Sequence, residues 1–120
     1  MSASGATPPG ARREALLWAA QRASAALLAL CVVVHLATMI YAVHSGLGAA
    51  QILERTRGNL AWLGFYSTFL LAVVVHVPIG LRAVLAEWLG WRGISRDAAL
   101  AAFAAALAWL GARAILGVFL

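Results

Sequence analysis

Two of the three histidines, His76 and His35, lie well within apolar runs and are the side chains best placed to bind a prosthetic group. His76 lies within Leu70-Leu-Ala-Val-Val-Val-His-Val-Pro-Ile-Gly-Leu-Arg82, and His35 lies within the run from Ala23 to Val43, broken otherwise only by Ser24 and Thr38. An ionisable group inside an apolar run long enough to lie in a membrane is costly, so its retention points to function. Imidazole is a common axial ligand of haem, and helical bundles build such sites from facing side chains. Ala72, Gly80 and Ala83 stand four and seven residues from His76, at helical spacing, and their small side chains leave room for a flat group beside the ring. Haem b is therefore the expected cofactor, with His76 and His35 as iron ligands. A histidine that only hydrogen-bonds to a neighbouring helix is the plainer alternative. His44 closes the first apolar run and is expected at the solvated boundary, and Met39, one turn past His35, is expected to pack rather than ligate.

Depth separates the two candidate ligands. His35 is 13 residues past Arg22, roughly 20 Å along a helix, whereas His76 is six residues before Arg82, roughly 9 Å from the same side. One iron cannot readily take both from antiparallel helices of one chain. The expectation is one haem at His76, or two at different depths, each completed by a histidine from another chain.

The elements that must carry these residues are membrane helices. The chain has 120 residues, 64% of them hydrophobic and 11% charged, far below the charge of an ordinary soluble domain. The 21 residues from Ala23 to Val43 would span roughly 32 Å as a helix, about one bilayer core. The fold expected is all-α: a single domain over residues 13–120 with three transmembrane spans at about 15–43, 60–86 and 98–120. A disordered tail is expected over residues 1–12, rich in Ser, Ala, Gly and Pro. A signal peptide is the competing reading of the N-terminus, but its apolar core would be shorter than the run found here.

Between the spans, Leu47 to Leu53 suits a short interfacial helix, and Ser95 is a candidate cap for the third span. Pro78 is expected to kink the second span near His76. Trp62 and Tyr66 stand where interfacial aromatics occur. The alanine-rich third span favours close helix packing, and Arg113 near its far end is expected to snorkel. Arg12, Arg13 and Arg22 precede the first span and Arg82, Arg92 and Arg96 follow the second, against Arg55 and Arg57 on the opposite connection. That asymmetry predicts a cytoplasmic N-terminus.

The same inventory excludes much. All nine basic residues are arginine, and the net charge of +5 reads as membrane-flanking charge, without the basic, aromatic-interleaved patch of a nucleic-acid binder. Cys31 stands alone, so no intrachain disulfide and no Cys-x-x-Cys haem attachment exist, and any haem is held non-covalently. Hydrolase motifs, paired carboxylates and phosphate loops are missing, and the four acidic residues lie near the ends of spans or in connections. The chain alone is not expected to be a catalyst.

Three stretches carry a family resemblance. His76-Val-Pro-Ile-Gly80-Leu-Arg82 resembles the histidine, small-residue, glycine and arginine pattern in the second span of the cytochrome b membrane anchors of succinate dehydrogenase and fumarate reductase. Gln21-Arg22-Ala23-Ser24-Ala25 is similar to their His-Arg-x-Ser-Gly opening, keeping the arginine and serine but not the histidine or glycine. The segment from His35 through Glu54-Arg-Thr-Arg-Gly-Asn59 also looks like bacterial members, so the likeness runs from about Arg13 to the end.

The resemblance implies a haem b-binding subunit of the bacterial cytoplasmic membrane. It would anchor a flavoprotein and an iron–sulfur subunit on the cytoplasmic side and pass electrons between that arm and membrane quinone. It implies His76 as haem ligand, and Arg22 with Ser24 as candidates for the quinone site. Arg82 is placed to neutralise a haem propionate, with ordinary positive-inside charge as its alternative. The chain looks like one half of a five-helix dihaem anchor, which implies a second anchor chain, the same or different, supplying the opposite ligands. The alternative function is a non-redox membrane scaffold or assembly subunit docking partners through its alanine-rich helix.

Overall fold

The structure, a computed structural model, describes Gly5 and residues 8–120. It contains four helices: α1 (Pro9–His44), α2 (Ala49–Thr56), α3 (Leu60–Leu89) and α4 (Ile94–Phe119). Three of them, α1, α3 and α4, are long and apolar enough to cross a membrane. Of the tail expected over residues 1–12, residues 1–4, 6 and 7 lie outside the described residues, and residues 9–12 form the first turn of α1. Pro9 suits that position because the first amide of a helix has no intrahelical acceptor to lose. The next residues, Gly-Ala-Arg-Arg-Glu-Ala, contain only one helix-weakening residue, so α1 reaches 36 residues.

Each later boundary has a local cause. The interfacial helix begins at Ala49 and runs to Thr56, slightly later than the Leu47–Leu53 expected. Asn59 caps α3, its side-chain oxygen accepting from the amides of Ala61 at 3.0 Å and Trp62 at 3.4 Å. The helix continues through Pro78 and past Ala86, ending where Gly90 adopts the left-handed conformation with φ of 63°. Gly93, at φ 94°, then turns the chain into α4. Ser95 is not the cap, because α4 starts one residue before it. Its hydroxyl instead accepts the indole N–H of Trp91 at 2.9 Å.

The arrangement is a row with α3 at its centre. α3 packs along both α1 and α4, while no comparable packing joins α1 to α4 among the described residues. The α3–α4 contact depends on Gly111, where a Cβ would collide with the Leu70 side chain. At the far end, Thr56 donates to the carbonyl of Val118 at 2.8 Å and the amide of Gly58 to that of Phe119 at 2.9 Å. These bonds satisfy terminal carbonyls of α4 that a helix cannot satisfy itself. Among the described residues only Cys31, Ala72 and Leu100 are buried and apolar, so nearly all their hydrophobic surface faces outward, as lipid or partner helices require.

Candidate functional site

Several polar side chains meet along the seam between α1 and α3. On α1, Glu14, Gln21, Ser24, Cys31 and His35 recur at intervals of three, four or seven residues, one stripe of a helix. Ser24 and Cys31 are buried along it. The Gln21 side chain lies against Gly80, where a Cβ would stand only 3.0 Å from its amide nitrogen. Gly80 thus admits Gln21 rather than leaving open space beside His76. His76 is one turn before Gly80 on the same face of α3.

Three side-chain atoms among the described residues are enclosed without a hydrogen-bond partner: Gln21 Oε1, His76 Nδ1 and Arg82 Nε. Enclosed polar atoms of this kind are uncommon and call for a ligand, a water or a partner. Of the two nitrogens of His76, Nδ1 alone is enclosed in this way. Arg82 directs Nη2 to Glu14 at 3.3 Å, an ion pair across the α1–α3 seam whose side chains are 27% and 65% exposed. The two arginine-motif residues of α1 do not converge. Arg22 is exposed with its guanidinium 5.3 Å over the Trp18 ring, whereas Ser24 is buried and donates to the carbonyl of Gln21 at 3.1 Å.

His35 occupies a separate aromatic setting. Its Nδ1 is 3.5 Å from the Tyr66 hydroxyl, and its ring meets Tyr66 and Phe69 edge-on at 5.9 and 5.8 Å. Trp62 stacks on Tyr66 in turn. Beside this cluster, a crevice of 360 Å³ opens between α1, α2 and α3, lined by Met39, Tyr41, Arg55, Trp62 and Tyr66 among others. Tyr66, level with His35, precedes His76 by ten residues, so the two imidazoles stand roughly 15 Å apart along α3. Among the described residues no three His, Cys, Asp or Glu side chains group together as metal ligands, and each histidine offers a single imidazole to its own level.

Residues 8–118 match the family model described as the succinate dehydrogenase/fumarate reductase transmembrane subunit. The chain belongs to that family. No curated protein and no solved structure matches it. As a transmembrane subunit of succinate dehydrogenase/fumarate reductase it is a multi-pass membrane protein that associates with the catalytic subunits of the complex.

In this anchor the remaining charges stay near the helix ends. His44 is exposed at the end of α1. Arg113 is exposed, with its guanidinium 5.9 Å from the centre of the Trp109 ring. Arg96 differs from a simple headgroup charge: it is buried, and its guanidinium bonds Asp97 at 2.8 and 3.0 Å. Sequence reasoning missed Gln21, Glu14, and the roles of Tyr66 and Phe69 around His35. The α1 stripe was the available signal for the first two. The aromatic box required knowing which turn of α3 faces His35.

Proposed function

We propose that this chain is the haem b-binding membrane anchor of a bacterial succinate:quinone oxidoreductase or fumarate reductase, with its N-terminus cytoplasmic. It would pass electrons between a flavoprotein/iron–sulfur arm and membrane quinone. Family membership supports the complex, and the environment of His76 supports the cofactor. That environment is the single observation carrying the haem reading: a half-buried imidazole in an apolar helix with Nδ1 enclosed and Nε2 left for a ligand. This donor set suits an axial ligand, which bonds the metal through one nitrogen and orients through the other.

Haem b, when bound, supplies a reversible one-electron carrier between the soluble arm and quinone. His76 would hold the iron through Nε2. Arg82 offers Nε and the guanidinium edge away from Glu14 to a propionate near the end of α3. A second anchor chain, the same or different, would complete the site. His35 is assigned to a second haem of the same kind, since its contact with Tyr66 through Nδ1 leaves Nε2 available. Arg22 and Ser24 remain the quinone candidates near the cytoplasmic face, Arg22 presenting an exposed guanidinium and Ser24 supporting the seam behind it.

The deciding experiment is a reduced-minus-oxidised visible spectrum of membranes carrying the assembled complex. A low-spin b-type band is expected in the wild type and lost in His76→Ala. An assembled complex without a band in either form removes the haem sites and leaves a haem-free anchor or a scaffold.

A further inference from the structure

We propose that Gln21 is a positioning residue for His76: its side-chain carbonyl accepts the Nδ1–H of the imidazole across the α1–α3 seam. This presents Nε2 as the bare, electron-rich nitrogen. The argument begins with the two enclosed atoms, since Gln21 Oε1 is an acceptor without a donor and His76 Nδ1 lacks a partner. They sit on facing helices. Gln21 lies on Gly80, which follows His76 by one turn on the same face. Forming the bond requires rotation about the side-chain bonds of Gln21 that turns its oxygen toward the ring.

Competing partners are poorer. The carbonyl of Ala72, one turn before His76, already accepts the backbone amide of His76 within continuous α3. Ser24 Oγ donates to the carbonyl of Gln21 and keeps its lone pairs, but it makes no hydrogen bond with His76 Nδ1. Arg82 Nε is a donor and cannot accept the Nδ1–H, and the Arg82 guanidinium is engaged through Nη2 with Glu14 at 3.3 Å. Leaving both atoms unpaired in an apolar seam costs more than joining them. The consequence for a metal rests on the haem reading above, but the hydrogen bond itself does not.

The test uses the full chain in lipid vesicles without haem, with histidine labelled by ¹⁵N. Only three histidines contribute, and the His76 signals are those absent from His76→Gln. Wild type is expected to show His76 protonated at Nδ1 and bare at Nε2. In Gln21→Met, which keeps an unbranched side chain but removes the acceptor, the tautomer ratio should move about tenfold toward Nε2–H. Gln21→Glu should retain the Nδ1–H form. An unchanged ratio in Gln21→Met overturns the proposal.

The His35 signal, set by Tyr66 on the same pair of helices, reports whether α1 still packs on α3. If it moves, the reciprocal measurement decides. With only two glutamines in the chain, the ¹³C carbonyl resonance of Gln21 is readily identified, and it should shift in His76→Phe. No shift there overturns the proposal. The visible spectrum separates the two readings. A tautomer response without a b-type band keeps the Gln21 bond and removes haem, and a His76-dependent band without a tautomer response does the reverse.

Discussion

At the scale of residues, the two intramembrane histidines share a chemistry but not an environment. His76 has an enclosed nitrogen lacking a partner on the α1–α3 seam, while His35 is already engaged by the Tyr66 hydroxyl and framed by two aromatic edges. Removing the hydroxyl with Tyr66→Phe leaves the stacking intact and deletes one weak interhelical bond. Such bonds average about 0.6 kcal/mol in a membrane protein. The expected result is a small fall in the SDS-unfolding midpoint of the complex, with the His76-dependent band unchanged. His76 was visible in the sequence because an imidazole among Leu, Val and Ala stands out against its neighbours. Gln21 was not, since its importance depends on lying against Gly80 some sixty residues away, a fact of helix register rather than of local composition.

At the scale of elements, the spans were readable and their ends less so. The apolar runs placed three long helices, and the left-handed Gly90 and Gly93 account for the abrupt turn between the last two. The ends shifted outward because Arg, Glu, Ala and Trp sustain a helix beyond the apolar run. Helix α1 accordingly begins at Pro9 and α3 ends at Leu89. Ser95 was misread as a cap because the glycine two residues earlier starts α4 sooner. The close approach of α3 and α4 rests on a particular pair, Leu70 seated over Gly111. Gly111→Val should lower stability by about 1–3 kcal/mol through overpacking. Adding Leu70→Ala in the same chain should recover much of that loss, and a double-mutant cycle of unfolding midpoints measures the coupling.

At the scale of the whole molecule, a row of three helices has few buried apolar residues and broad outward surfaces. Within a membrane this is tolerable for lipid-facing sides, and on the proposed haem reading each imidazole would need its opposite ligand from another chain. The stoichiometry of haem to anchor chains therefore distinguishes the two histidines. Two haems per anchor pair are expected in the wild type and one in His35→Ala. One haem in both restricts ligation to His76. On that reading, the separation of roughly 15 Å along α3 would make them independent sites rather than two ligands of one iron.

The continuity of α1 has a mechanical consequence. Glu14, Gln21, Ser24 and His35 belong to one unbroken helical phase, from the ion pair with Arg82 at one end to the contact with Tyr66 at the other. Inserting a single residue between Glu14 and Gln21 would turn one part of the stripe by about 100° against the rest. Either the ion pair or the imidazole contact would then be lost, because α3 offers both from a fixed frame. Insertions there are permitted only in near-whole turns, and a rotation imposed at the N-terminal end of α1 is carried along the continuous helix to the His35 contact.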